Sequence, residues 1–260
     1  MAQAATTDER RSAFADNPDY RVDFEPVSRR VRVVFGGETV ADSTRARLML
    51  ETRHLPVYYF PRDDLRMDLA TRSDHHSFCP FKGEASYWTL EVGGKRAEDA
   101  MWSYETPFPE VAGIAEYVAF YWDRMDAWYE EDDEVLGHPR DPRVRVDVLN
   151  SSRGVRVTLG GETLAETRRA RFLFETGMPA RYYIPRADVR MALLEPGETR
   201  SVCPYKGRAV YFNARIDGRV VENVAWSYPA PLPECALIEG CLCFYPERVD
   251  TIAVEGAPPD

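Results

Sequence analysis

The feature that most constrains this chain is an internal repeat. Cys79-Pro80-Phe81-Lys82-Gly83 returns as Cys203-Pro204-Tyr205-Lys206-Gly207, and adding 124 to a residue number converts one copy into the other. The same offset carries Gly36-Gly37-Glu38 to Gly160-Gly161-Glu162 and Trp102-Ser103-Tyr104 to Trp226-Ser227-Tyr228 without a gap. From Pro18 to Asp126, laid on Pro142 to Asp250, roughly four positions in ten are identical, so each fold is repeated as a unit. A unit of about 110 residues is an ordinary domain length, able to bury its own core.

Within each copy the local signals are those of strands. Arg30 to Phe35 runs into Gly36-Gly37, a pair that supplies the positive φ of a tight hairpin, and Ala85 to Val92 runs into Gly93-Gly94. Along Arg45 to Thr52 the polar Arg45, Arg47 and Glu51 alternate with Ala46, Leu48 and Leu50, the period of two of a half-buried strand. In Tyr58-Tyr59-Phe60-Pro61 and Tyr182-Tyr183-Ile184-Pro185 the two tyrosines of a pair must face opposite ways, and proline ends the strand. The expected fold class is mainly β, two tandem homologous domains with few short helices. The expected boundaries are a tail over 1–17, a first domain over 18–126, an acidic linker over 127–141, a second domain over 142–250 and a tail over 251–260.

Charge and composition narrow the function classes. A net charge of -10 argues against a nucleic-acid partner, which requires clustered Lys and Arg. There is no apolar run near the roughly 20 residues of a membrane span and no signal-peptide pattern, so the expectation is a cytoplasmic protein without a membrane partner. Five cysteines, one in the first copy and four in the second, do not form a disulfide framework.

The ordered set Glu-Thr, Tyr-Tyr-[Phe/Ile]-Pro-Arg, Cys-Pro-[Phe/Tyr]-Lys-Gly, Trp-Ser-Tyr, Pro-x-Pro and Phe-Tyr resembles the bacterial family called domain of unknown function 427, nearly end to end in both copies. The resemblance implies a β-tent-like fold, shared in outline with the zinc-binding domains of methionine sulfoxide reductase B and of the thalidomide-binding region of cereblon. Those relatives take zinc from two Cys-x-x-Cys pairs, which neither copy has. The family also carries a nucleotidyltransferase-like label, but no Gly-Ser followed by an Asp-x-Asp pair and no phosphate-cradling loop occurs here.

Candidate chemistry comes from residues that recur at the offset. Cys79 and Cys203 are possible nucleophiles, yet no histidine accompanies them in both copies, and packing as buried cysteines is the simpler expectation. Cys203, Cys235, Cys241 and Cys243 match the count of a zinc site, but their counterparts Val111, Tyr117 and Ala119 cannot bind metal, so no metal or cofactor is expected. Lys82 and Lys206 sit in a turn that fixes their direction, either to hold an anion or to snorkel from a hairpin end. Tyr58, Tyr59, Tyr87, Trp102 and Tyr104, with Tyr182, Tyr183, Tyr211, Trp226 and Tyr228, can line a pocket or fill a core. Arg47 with Glu51, and Arg171 with Glu175, are expected to form ion pairs nearby. The leading reading is a module binding a small, possibly anionic ligand through Tyr58, Cys79, Lys82, Trp102, Tyr104, Arg47 and Glu51 and their equivalents. A small-molecule enzyme acting through the cysteine or lysine, and a purely structural role, are the alternatives.

Overall fold

The computed structural model describes residues 11–256, which divide into two units, Met1–Asp141 and Pro142–Asp260. The first unit contains β1 (Val22–Pro26), β2 (Val31–Phe35), β3 (Glu38–Ser43), β4 (Arg47–Glu51), β5 (Val57–Pro61), β6 (Ala70–Cys79), β7 (Gly83–Val92), β8 (Lys95–Ser103), β9 (Tyr117–Phe120), β10 (Ala127–Glu130) and β11 (Asp133–Glu134). The second contains β12 (Val146–Asn150), β13 (Val155–Leu159), β14 (Glu162–Thr167), β15 (Arg171–Glu175), β16 (Arg181–Ile184), β17 (Leu194–Cys203), β18 (Gly207–Ile216), β19 (Arg219–Ser227), β20 (Leu242–Phe244) and β21 (Thr251–Val254). Short 3₁₀ turns, such as Arg62–Asp64 after Pro61, connect them.

Each unit pairs a long antiparallel sheet with a short one. In the first, the order β1-β4-β5-β9-β8-β7-β6 faces β11-β10-β2-β3, and in the second β12-β15-β16-β20-β19-β18-β17 faces β14-β13-β21. The shared strand order makes the sequence repeat a repeat of topology. Hairpins close where the glycine pairs stand: Gly36 and Gly37 have φ of 60° and 82°, and Asp217-Gly218 have 48° and 77°. Gly36 is also required sterically, because a Cβ there would lie 2.6 Å from the Val92 carbonyl oxygen of the neighbouring hairpin.

The long sheet is covered on both faces. Leu48, Leu50, Tyr58, Phe60, Trp88 and Met101 point to the short sheet and pack on Val31, Val33, Phe35 and Trp128. Met49, Tyr59, Ala85, Tyr87, Tyr104 and Ile114 point the other way into a second cluster. β4 therefore carries apolar side chains on both faces and is more buried than its sequence alternation predicts.

Two expected boundaries shift. The stretch read as a linker opens with β10, which pairs with β2 through Trp128 opposite Val33, and the stretch read as a C-terminal tail opens with β21, which pairs with β13. Acidic residues suggested solvation, but Trp128 is buried and Glu130 takes bonds from Tyr58 and Arg29, which satisfies its charge inside a sheet. The end of the N-terminal tail is also held, since the Ala13 amide donates to the Pro80 carbonyl and Phe14 packs edge-on to Phe81. Residues 1–10 and 257–260 of the two expected tails lie outside the described residues.

Candidate functional site

The repeated Cys-Pro-x-Lys-Gly stretch is the turn between β6 and β7, where Cys79 pairs with Gly83. The Lys82 amide donates to the Cys79 carbonyl at 3.3 Å, the Phe108 amide donates to the Lys82 carbonyl at 3.2 Å, and Gly83 adopts φ of 99°. Gly207 repeats this at 107°. A side chain at either position would be strained, and this is what aims the preceding lysine inward.

Both lysines are buried, Lys82 being 6% and Lys206 7% exposed, which overturns the reading of a lysine snorkelling into solvent. Lys82 Nζ donates to Glu51 Oε2. Lys206 Nζ donates to Glu175 Oε2 at 2.5 Å and lies 3.7 Å from Cys203 Sγ. A buried cation with its own carboxylate is a neutral unit presenting a donor and an acceptor side by side. In the first unit Tyr20 completes it, donating from its hydroxyl to Glu51 Oε1 at 2.6 Å while its ring stacks on Phe81 at 3.5 Å. Burial, and then the Glu51 carboxylate, hold the Tyr20 phenol well above its ordinary range, so it stays protonated.

The expected Arg47–Glu51 and Arg171–Glu175 pairs do not form. Four residues along a strand are about 13 Å apart, beyond side-chain reach for a direct pair. Arg47 Nη1 instead donates to the Phe24 carbonyl at 3.1 Å, its guanidinium 5.3 Å from the Phe24 ring centre, and Arg171 Nη1 donates to the Arg169 carbonyl.

Around the lysine the aromatic groups are bonded to each other. Trp102 Nε1 donates to Tyr59 Oη at 3.1 Å, and Trp226 Nε1 to Tyr183 Oη at the same distance. Ser77 Oγ lies 2.6 Å from the Tyr87 hydroxyl and Ser201 Oγ 2.8 Å from that of Tyr211. Tyr121 and Tyr245 stand against Trp102 and Trp226, each pushed up to about 12 by burial and then by its hydrogen bond with Tyr87 or Tyr211. Tyr104 and Tyr228 complete the wall, with Lys82 Nζ 5.7 Å from the Tyr104 ring centre.

In the first unit these groups border a cavity of about 870 Å³. Met49, Tyr59, Tyr87, Trp102 and Tyr104 are among its walls, Lys82, Glu51 and Cys79 stand at it, and Arg53, His54, Asp123 and His138 contribute at other points. Of the residues expected from sequence, Cys79, Lys82, Glu51, Trp102 and Tyr104 come together, as do Cys203, Lys206, Glu175, Trp226 and Tyr228 in the second unit's equivalent cluster. Tyr58 and Tyr182 do not point into it. Tyr58 borders the cavity, but its ring belongs to the core between the sheets and its hydroxyl bonds to Glu130, while Tyr182 packs on Phe172 on the same side in its unit. Their neighbours Tyr59 and Tyr183 face the site, as strand parity requires. Tyr20, Tyr121 and Tyr245 escaped the sequence reading; the Phe-Tyr ending of β9 and β20, present in both copies, was the signal for the last two.

Cys79 and Cys203 are half-buried, whereas Cys235, Cys241 and Cys243 are buried. Among the described residues no group of three or more His, Cys, Asp or Glu is arranged to hold a metal, and no helix is long and apolar enough to cross a membrane.

The model of the family described as Domain of unknown function (DUF427) matches the chain twice, over residues 23–131 and 147–255. No curated protein matches it.

Proposed function

The chain belongs to the DUF427 family, once in each unit, and from that premise we propose that the repeat is a small-molecule-binding module whose pocket in the first unit takes a neutral planar ligand against the Lys82–Glu51 pair. One observation carries this reading. Between the copies the core facing the short sheet keeps Val31, Val33, Tyr58 and Phe120 but has exchanged its bulkiest fillers, with Trp88 to Phe212, Leu90 to Ala214, Met101 to Ala225 and Phe60 to Ile184. Around the lysine, Glu51, Tyr59, Cys79, Lys82, Tyr87, Trp102, Tyr104 and Tyr121 are each repeated unchanged, while apolar neighbours change, Met49 to Leu173 and Val111 to Cys235, and Tyr20 becomes Val144. Packing tolerates apolar exchange of similar volume, so a cluster that keeps its hydroxyls and indole answers to more than packing.

Size and chemistry agree with a small ligand. A cavity of about 870 Å³ is in the range of small-molecule sites, and its aromatic walls supply flat apolar surface. The ligand class moves from anion to neutral ring, because Glu51 already balances Lys82. A planar amide or heterocycle, offering an acceptor to the lysine and a donor to the carboxylate, suits that pair.

Benzamide and benzoate are matched neutral and anionic probes, read from the backbone amide signals of Gly83 and Gly207 in the full chain. Benzamide is expected to bind the wild type more tightly at Gly83. Glu51→Gln, which leaves the lysine charge unbalanced, should move preference toward benzoate by about tenfold, and Trp102→Ala should weaken both. Failure of either probe to perturb Gly83, or a preference unmoved by Glu51→Gln, overturns the proposal.

A second reading, thiol chemistry in the second unit, rests on the 3.7 Å contact of Lys206 Nζ with Cys203 Sγ. Loss of a measured turnover in Cys203→Ser, with Cys79→Ser unaffected, would favour it.

A further inference from the structure

The core between the sheets is filled differently in the two units. In the first, Trp122 stacks on Trp128 with ring centres 4.4 Å apart and planes within 7°, and the Tyr58 hydroxyl donates a hydrogen bond to Glu130 Oε1. The same offset places Pro246, Ile252 and Val254 at the positions of Trp122, Trp128 and Glu130. Two indoles have become a pyrrolidine ring and a branched alkyl chain, and the carboxylate facing the tyrosine has become a methyl-bearing stub.

A cavity of about 660 Å³ lies there, bordered by Val155, Val157, Ile184, Phe244, Ile252 and Tyr182. The cavity opens to solvent, and it exists because smaller side chains stand where the first unit has two indoles. Apolar surface makes up somewhat more than half of its wall, and covering that surface with a ring is favourable. The polar groups nearby are mostly engaged: Thr251 bonds to Thr158, and Asp250 accepts from the Gly160 amide at 2.6 Å. The Tyr182 hydroxyl, by contrast, has no hydrogen-bond partner among the described residues.

We propose that this cavity is a ligand site of the second unit, for an apolar, ring-bearing molecule that carries a hydrogen-bond acceptor for Tyr182. The ligand occupies the place that Trp122 and Trp128 fill in the first unit. Its acceptor does what Glu130 does for Tyr58. The site lies on the opposite face of the long sheet from the lysine cluster, since Tyr182 belongs to the core between the sheets and Tyr183 to the lysine side. It stands independently of the reading of the first unit's pocket.

The probe is prodan, a naphthalene ring bearing a ketone, titrated into the full-length protein and followed by its emission. Wild type should bind it with a blue shift. Ile252→Trp, which refills the cavity with the residue the other copy uses, should lower affinity at least tenfold and raise Tm. Val254→Glu, which returns a carboxylate to the tyrosine, should also lower affinity, so the test does not depend on the tryptophan variant folding. Tyr182→Phe should weaken binding several-fold, whereas Leu149→Ser, at an exposed position of the second unit outside the cavity wall, should leave it unchanged. No prodan binding by wild type, or binding by Ile252→Trp and by Val254→Glu as tight as that of wild type, overturns the proposal, the latter by placing the probe outside this cavity.

Discussion

The two faces of the long sheet have had different histories since the copies separated. Toward the short sheet, Val40 became Leu164, Ala100 became Val224 and Val118 became Leu242, gains that stand beside losses such as Leu90 to Ala214. Toward the lysine, the polar aromatics Tyr59, Tyr87, Trp102 and Tyr104 recur as Tyr183, Tyr211, Trp226 and Tyr228, while apolar neighbours change there too, Met49 to Leu173 and Ala119 to Cys243. A packed apolar core asks only for volume and apolarity, so exchanges on one strand can be offset on another. A hydrogen-bonded aromatic cluster around a buried ion pair is less forgiving, because removing one partner strands the other. Stability and ligand binding are separable reasons to retain the lysine face, and mutations distinguish them.

The largest effect expected is from breaking the buried pair. Glu51→Ala leaves Lys82 without a counter-charge at a position where both side chains are less than a tenth exposed, and should cost about 3–5 kcal/mol in chemical denaturation. Glu175→Ala should cost less, since Glu51 also accepts from Tyr20 and the second copy has Val144 in place of Tyr20. On the other face, exchanging residues between copies, as in Val40→Leu, should cost under about 1.5 kcal/mol. Tyr59→Phe decides between the two explanations: removing the acceptor of Trp102 strands its indole N–H and should cost about 1–3 kcal/mol if that bond is all that is lost. A cost above about 3 kcal/mol would mean that stability alone keeps the tyrosine.

The cysteines sharpen the comparison between units. Cys79 and Cys203 stand half-buried at the turn both copies share, while Cys235 and Cys243 are confined to the second unit. Burial pushes the Cys235 thiol up to about 11 and that of Cys243 up to about 12, so neither forms appreciable thiolate at pH 8. Iodoacetamide followed by mass spectrometry should find Cys79 and Cys203 modified first in the native protein. Early modification of Cys235 or Cys243 would show that the second unit opens locally where the first does not.

Much of the architecture was legible because it is written in local chemistry. Gly36-Gly37 and Gly93-Gly94 specify hairpins by their φ, and the fixed offset says that whatever folds once folds twice. The site was legible as a set of residue types and hidden as a set of partners. Lys82 and Glu51 are 31 positions apart and meet only when the sheet closes. Arg47 looked like the partner because it is near in sequence, but strand rise forbids that pair. Which tyrosine of Tyr58-Tyr59 faces the site was undetermined, because β4 and β5 are apolar on both sides and parity alone has no sign. The acidic run after β9 misled for the opposite reason: charge suggested solvent, whereas Glu130 is spent on Tyr58 and Arg29 within a sheet.

The smallest expected effect concerns a feature both units share on the outside of the fold. Asp188 accepts from Arg169 Nε and Nη2 at 2.9 and 2.8 Å and from Thr167 Oγ1 at 2.6 Å, and these bonds, Arg169 foremost, hold its carboxyl down at about 2. Asp64 accepts in the same way from Arg45 and Ser43; burial works against its ionisation, yet the hydrogen bonds win and its carboxyl too lies below its ordinary value. A carboxylate depressed on folding contributes stability that is fully present above its unfolded value of 3.8 and is lost as pH falls toward about 2. The arginines are exposed, so screening keeps each contribution small and makes it salt-dependent. Thermal unfolding between pH 5 and pH 2, windows set by those values, should therefore show a shallower acid limb in Asp188→Asn than in wild type, with a weaker flattening in Asp64→Asn. Added salt should narrow the difference. If Asp188→Asn follows the wild-type limb unchanged, the arginine bond is as strong with the carboxyl protonated as without, and the Asp188–Arg169 pair contributes nothing to the acid sensitivity of the second unit.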